Sequence, residues 1–392
     1  MILVVTNAYK DEKNPYENGF IHSRILAYKK QGLDTEVFVL NSRKKRKKYE
    51  FEDVKVEVGD ASDFVNRLKQ DQKATICIHF ITLEIVKALN QIGHKRNIVL
   101  FVHGVEALCW YERIFPGIFC SPKNVLSFIK YAVVNMITLP QIRRFLNSTQ
   151  HKIIFITVSK WMRDVAEKNW KCKAKFKWNI IPNIVDCDVF KYVEKDAFYV
   201  KKILSIRPFT TGKYANDISV KCIKELIEKN NIQDINVTII GKGPQFHKIL
   251  KPIKELSQVR LENRFLNREE IIDKHKGNGL FLCPTRQDAQ GVSMCEAMAS
   301  GLVPITLYNT AIPEFLPDDS RLICHNVNDM VNLVIRLINN KKEFQELSRI
   351  CSNFIRNKCD YSGTVKKEID IFDQIERKQR KNIFNNYDMY FY

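Results

Sequence analysis

Short apolar runs alternate with amphipathic stretches along most of the chain. In the first half, Ile2–Thr6, Thr35–Leu40, Ala74–Phe80, Asn97–His103 and Lys152–Val158 are almost continuously apolar. Strands buried on both faces have this character, whereas a sheet with one wet face alternates. Stretches of helical period, such as Ile21–Lys30 and Leu83–Gln91, lie between them. A strand–helix–strand–helix rhythm predicts a parallel, doubly wound sheet. The turn-rich passage Ile181-Pro-Asn-Ile-Val-Asp-Cys-Asp188 breaks the rhythm. It restarts with strands expected at Lys202–Ile206, Asn236–Gly241, Leu280–Cys283 and Leu302–Thr306. Helices are expected at Asp217–Lys229, Arg268–His275 and Ser293–Ser300.

The predicted fold class is α/β, with two Rossmann-like doubly wound parallel-sheet domains facing a central cleft. The expected boundaries are 1–188 and 189–365, with a helix and tail over 366–392 in a position to return to the first domain. A chain of 392 residues is long enough for two cores at roughly 100–200 residues each. In open α/β sheets ligands collect beyond the carboxyl ends of the strands.

Composition adjusts this picture modestly. Hydrophobic residues make up 45% and charged residues 27%, which excludes a disordered chain. No apolar run approaches the ~18 residues of a membrane span. Met1-Ile-Leu-Val-Val reads as a first buried strand rather than a signal peptide. Eleven scattered cysteines without a C-x-x-C pair argue against a disulfide framework or structural zinc, and predict a reduced, cytoplasmic setting.

Charge matters more. The net charge is +19, with 31 basic against 19 acidic residues in the first 190 and 32 against 25 in the rest. Such a field favours anionic partners: phosphates, acidic lipid surfaces or nucleic acid. The basic residues are spread rather than striped, and no nucleic-acid-binding motif accompanies them, so no nucleic-acid partner is expected. Two segments are candidates for an anionic membrane surface. Arg43–Lys48 is six consecutive basic residues, either a solvated loop or a lipid-attracted patch. Ser121–Asn147 is long, apolar and edged by Lys123, Lys130, Arg143 and Arg144. It is either an interfacial helix or an ordinary helix packed on the sheet.

The densest candidate chemistry lies in Cys283-Pro-Thr-Arg-Gln-Asp288-Ala-Gln-Gly291-Val-Ser293-Met-Cys-Glu296-Ala-Met-Ala-Ser-Gly301-Leu-Val-Pro304. A strand ends at Cys283, a polar loop follows, and a helix begins near Ser293. Free N–H groups of Gly291, Val292 and Ser293 at that helix start would form a phosphate site. Asp288 and Glu296 flank it. Carboxylates repel phosphate, so sugar hydroxyls suit them better. Ser293-x-x-Glu296 also fits a capping box, a purely structural role.

Asp288 and Glu296 with seven residues between them, followed by Ala-Met-Ala-Ser-Gly-Leu-Val-Pro, resemble the E-x7-E signature of the retaining glycosyl transferases group 1, the GT-B type. Asp288 stands where the family most often has Glu. Other segments resemble the family in the same order. Ser205-Ile-Arg207 with Lys213 is similar to its strand-end Arg and following Lys. Ile239-Ile-Gly241-Lys-Gly243-Pro244 is similar to its Gly-x-Gly-Pro loop. Ile181-Pro-Asn183-Ile-Val-Asp186 is similar to its interdomain turn, with Ile184 in place of Gly. Val259–Leu266 resembles the stretch that cradles the base, near Arg264 and Phe265. Asn18-Gly19 resembles its glycine-rich loop, His103-Gly104 its strand-end histidine, and Glu314 a donor-domain carboxylate.

The resemblance implies a GT-B fold and a metal-independent retaining hexosyltransferase with no cofactor. Arg207, Lys213 and the helix-start amides would offset charge on the departing UDP or GDP. His103 and Asp288 would orient the sugar, and Glu296 would hold the ribose hydroxyls. Gly19, Gly241, Arg264, Phe265, Gly291, Val292 and Ser293 would complete donor binding. The acceptor implied is a lipid-linked or polysaccharide glycan of the bacterial envelope, with the enzyme cytoplasmic and peripheral on the inner face of the membrane. Asp186-Cys-Asp188 is a D-x-D, the metal signature of a different transferase type. Gly241-x-Gly243 lacks the third glycine of a dinucleotide fingerprint. A nucleotide-sugar epimerase on the same fold, or a basic membrane- or nucleic-acid-binding protein without transferase activity, are the alternatives.

Overall fold

The computed structural model describes residues 1–12, 17–118, 122–171 and 177–388, with side chains to residue 378. Ser121, the first residue of the predicted interfacial segment, lies outside the described residues, as do 389–392 of the tail. The chain divides into two compact units. One comprises Met1–Trp110, Ala132–Ile184 and Tyr361–Tyr392, the other Tyr111–Tyr131 and Val185–Asp360. The segment 111–131, within the first half of the sequence, thus groups with the second unit.

The first unit is an eight-stranded sheet. Its strands are β1 (Ile2–Thr6), β2 (Thr35–Leu40), β3 (Lys47–Phe51), β4 (Val54–Gly59), β5 (Thr75–His79), β6 (Asn97–Val102), β7 (Lys152–Thr157) and β8 (Lys177–Ile180). Their order is β3-β4-β2-β1-β5-β6-β7-β8, and only the β3–β4 pair is antiparallel. β1, β5 and most of β6 are buried on both faces, as their apolar runs require.

β3, β4 and β8 escape the run-of-apolar criterion. β4 alternates, with Lys55 outside and Val54 and Val56 inside, and β3 is a mostly exposed edge. The basic run is therefore not a loop throughout: Lys47 and Lys48 open β3. Charged side chains on an edge strand discourage pairing with another chain. Half of the run is matched within the unit. Arg46 pairs with Asp60 and Asp63, Lys47 with Asp11 at 2.9 Å and Lys48 with Glu57 at 3.3 Å.

The C-terminal helix Val365–Asp388 belongs to this unit and brings Val365, Ile371, Phe372 and Ile375 into the core beside Ile21, Ile25 and Tyr28. Burying that apolar stripe also buries Glu368 (0% exposed) against Arg24 (1% exposed) of the helix Gly19–Lys30. Arg24 Nε donates to Glu368 Oε1 at 2.9 Å, Nη1 to Asn183 Oδ1 at 2.8 Å and Nη2 to the Pro182 carbonyl at 3.3 Å. Tyr28 donates its hydroxyl to Glu368 as well. One guanidinium thus fastens three distant stretches of sequence.

The second unit is a five-stranded parallel sheet: β9 (Lys202–Ile206), β10 (Asn236–Ile240), β11 (Val259–Glu262), β12 (Leu280–Leu282) and β13 (Val303–Ile305), in the order β11-β10-β9-β12-β13. The two sheets bear out the α/β class with two doubly wound parallel sheets.

The helix Pro122–Ser148 corrects one expectation. No continuous apolar run reaches a membrane-spanning length, yet this 27-residue helix is long and apolar enough by length and composition, because its polar positions are thinly scattered. It is not an ordinary sheet-covering helix either. Leu126, Ile129, Val133, Val134, Met136 and Ile137 are each 45–61% exposed, while Ile142, Phe145 and Leu146 near its end are buried.

Glu368→Ala strands the buried Arg24 charge, a change that costs about 3–5 kcal/mol when half of a buried pair is removed. Urea denaturation should show that loss. The double change Arg24→Met with Glu368→Leu should recover most of it, because apolar replacement of a buried pair is often neutral.

Candidate active site

All but two of the candidate site residues lie in the second unit, several of them at the carboxyl ends of its strands. Arg207 follows β9. Gly241 follows the neighbouring β10, and a Cβ there would fall 1.9 Å from the Arg207 carbonyl oxygen. Only glycine allows the two strand ends to lie this close, so Gly241 acts by seating the Arg207 backbone. The Arg207 side chain is buried, at 4% exposure. Nη1 donates to Ser293 Oγ at 3.4 Å and Nη2 to the Pro284 carbonyl at 3.3 Å, both long. Its Nε is buried without a partner. Among the described residues no carboxylate lies within ion-pair distance of it. A buried cation without an anionic partner is costly.

Lys213 stands in the short 3-10 turn Gly212–Tyr214. Burial lowers its pKa, opposed by Asp288 and reinforced by Arg113 and Arg207. Both cations lie over the Tyr214 ring, at 5.3 Å for Arg207 and 5.5 Å for Lys213. The turn is fixed by Arg286, which donates to the Gly212 carbonyl at 2.7 Å and clasps Asp217 with both nitrogens at 2.8 and 2.6 Å. Sequence reasoning missed Arg286 and Asp217. Asp217 lies 69 residues from Arg286, so no local pattern links them.

Thr285 and Gln287 anchor the loop that carries Asp288. Thr285 donates to the Lys213 carbonyl, and Gln287 Nε2 to the Glu112 carbonyl at 2.9 Å. The structure then corrects two expectations. The helix Val292–Ala299 has Gly291 as its N-cap, left-handed at φ 76°, with no side-chain cap. Ser293 and Glu296 therefore do not form a capping box; the N-cap is Gly291 and the helix starts at Val292, one residue before the expected Ser293. The Gly291 N–H is also not free. Asp288 Oδ1 accepts from it at 2.9 Å and from Gln290 N at 3.2 Å. The short aspartate arm curls onto its own loop, as Asp does in turns. The amides of Val292 and Ser293 remain without intrahelical partners, as in the first turn of any helix.

Glu296 has no capping role, and burial raises its carboxyl to about 7, opposed by Arg268. Arg268 is itself bound to Asp186 at 2.9 Å. Asp186 also caps the following turn through Val189 N at 3.2 Å. Arg264 is tied to Glu262 and Glu270 at 3.0 and 2.5 Å. Its guanidinium is engaged, while the neighbouring Phe265 ring is 59% exposed. Glu314 sits in the 3-10 turn Ile312–Phe315, where Lys358 holds its carbonyl.

His103 and Gly19 lie in the first unit. The left-handed residue of the Asn18-Gly19 loop is Asn18, at φ 50°. His103 follows β6, and its Nε2 meets His79 Nδ1 at 2.9 Å with the rings stacked. Burial and the Arg24 charge hold its pKa down to about 3. It is neutral near pH 7, and one ring nitrogen is committed to His79. Its backbone N–H and that of Gly104 donate to Glu106 at 2.6 and 3.1 Å.

Residues 201–340 match the model of the family described as glycosyl transferases group 1. That span contains Arg207, Lys213 and the whole 283–304 stretch. No curated protein matches the chain by sequence. Among solved structures it is similar to sucrose-phosphate synthase from Thermosynechococcus elongatus, at 12% identity over 96% of this chain and 100% of that one, with a TM-score of 0.72. It is also similar to α,α-trehalose 6-phosphate synthase from Burkholderia multivorans, at 11% identity over 96% and 99%, with a TM-score of 0.68. A third, an Escherichia coli trehalose-6-phosphate protein bound with UDP-2-fluoro glucose, has 12% identity over 95% and 99%, with a TM-score of 0.67. The fold is that of the GT-B enzymes, and the family match covers the second sheet of that fold.

The raised Glu296 carboxyl predicts a pH signature. The folded chain holds this proton more tightly than the unfolded chain. The stabilising share is full below the ordinary 4.5 and is lost as pH rises through about 7. At pH 8 Glu296→Gln should therefore be more stable than the native chain by about 1–3 kcal/mol, discounted for partial exposure. The difference should vanish near pH 4. Urea melts across this range measure both.

Proposed function

We propose that the chain transfers a hexosyl group from a UDP- or GDP-linked donor with retention of anomeric configuration, without a divalent metal or cofactor. The observation that carries this reading is the buried Arg207 guanidinium, which has an unpaired Nε and no carboxylate partner. A diphosphate supplies the missing anion.

When the bond between the anomeric carbon and the leaving phosphate lengthens, negative charge grows on the phosphate. Arg207, Lys213 and the Val292 and Ser293 amides offset that charge in a site poor in water, usually the largest catalytic contribution. Two such cations can do the work of a metal at a diphosphate. Glu296, ionised above about pH 7, accepts hydrogen bonds from ribose hydroxyls. Asp288 shapes the loop and leaves its second oxygen for the sugar. His103 serves the sugar as a neutral hydrogen-bonding ring. With no side chain assigned as a covalent nucleophile, the acceptor attacks from the face the diphosphate leaves, and a phosphate oxygen takes its proton.

The acceptor in this reading is a lipid-linked or polysaccharide glycan of a bacterial envelope, used at the cytoplasmic face of the membrane. The exposed apolar face of Pro122–Ser148, bordered by basic residues, and the net charge of +19 support it.

Arg207→Ala should lower kcat/KM about 10²–10³-fold with folding intact, the effect of removing one charge-stabilising donor. The donor is found by titrating UDP- and GDP-sugars, with Glu296→Ala as the weakened control. If no nucleotide sugar binds, the reading fails. An inverted product linkage, or activity abolished by a chelator, removes the retaining or the metal-independent part.

A further inference from the structure

Beside the donor cations the second unit holds an open cavity of about 890 Å³. Residues 113–118 and 124–131 supply one wall, and the turns at 210–217 and 244–249 supply the others. Arg113, Lys213 and Lys248 bring positive charge to it, and Phe115, Phe128 and Ile249 bring apolar surface. The Tyr131 hydroxyl, also in the lining, is buried without a hydrogen-bond partner. The Arg113 guanidinium stacks over that ring at 4.9 Å. Among the described residues the one carboxylate in the lining is Asp217, and Arg286 neutralises it through two hydrogen bonds. The cavity therefore has a cationic net character and apolar walls.

The wall helix adds a second observation. Phe128 and Tyr131 line the cavity, while Leu126 and Ile129 of the same helix stand exposed to solvent. Apolar surface thus continues along the helix beyond the residues that line the cavity. A soluble protein rarely leaves such a row bare without a use for it.

We propose that this cavity binds a phosphate-bearing amphiphile, with the phosphate on Arg113 and Lys248 and the chain along the apolar wall. Lys213 borders both this cavity and the donor cations. The bound phosphate group therefore sits next to the place where the leaving diphosphate is held. That this makes the amphiphile the acceptor rests on the transferase reading above; the binding chemistry does not.

The test uses the full chain and isothermal titration with dodecyl phosphate below its micellar concentration, inorganic phosphate, the neutral dodecyl maltoside and UDP. Dodecyl phosphate should bind at least about tenfold more tightly than either inorganic phosphate or dodecyl maltoside. Lys248→Glu and Phe128→Ser, both at solvent-accessible positions, should each weaken it about tenfold while UDP affinity is retained. Equal binding of inorganic phosphate would mean a simple anion site and overturn the proposal. So would equal binding of dodecyl maltoside, or variants without effect. If UDP displaces dodecyl phosphate and both variants weaken UDP equally, the cavity belongs to the nucleotide and the proposal falls. If dodecyl phosphate binds as expected and no nucleotide does, the transferase reading fails and the cavity assignment stands.

Discussion

The buried pair between Arg24 and Glu368 is the constraint on which the first unit depends. That unit is assembled from three separated stretches of chain, and a hydrophobic core alone gives little register to a returning C-terminal helix. Two charges with no water around them fix the register, because every alternative leaves at least one unpaired. The same guanidinium holds Asn183 and the Pro182 carbonyl, so the turn that ends the first unit is set by the same contact. Its charge also lies over the Phe101 ring at 5.4 Å and helps to keep His79 and His103 neutral.

The second unit treats a buried arginine in the opposite way. Arg24 is saturated, while Arg207 has two long hydrogen bonds and one nitrogen with none. Gly241 and the Pro284 carbonyl hold Arg207 where it is, at a cost the fold bears in the absence of an anion. Glu296 repeats the pattern with the other sign, a carboxyl kept where its ionisation is opposed by burial. Positions that keep an unfavourable state have a reason outside the folding of the chain.

The large positive charge is less of a single field than the composition implies. Arg46, Lys47 and Lys48 have carboxylate partners in the first unit, and in the second Arg264, Arg268 and Arg286 are bound to acidic neighbours. Arg207 and Lys213 form no such pair among the described residues. Charge that is matched locally carries structure, and charge left over is what an anionic ligand meets.

The sequence by itself determined the strand-and-helix rhythm of both units, because strands buried on two faces must be apolar throughout. It also singled out two local pairs, Arg207 with Lys213 and Asp288 with Glu296, whose spacings resemble a known signature. It did not show β3, a mostly exposed edge strand, or β8, a short and only partly buried one. It placed the helix start at Ser293, since the left-handed Gly291 that opens it is invisible without backbone angles. Only the tertiary structure decided what each group is bonded to. Asp288 turns onto its own loop, Arg286 reaches Asp217 across 69 residues, and Glu368 crosses 344 to meet Arg24. Periodicity and local motifs are written in neighbouring residues. Pairing, burial and the proton affinity that follows from them are properties of residues that only folding makes neighbours.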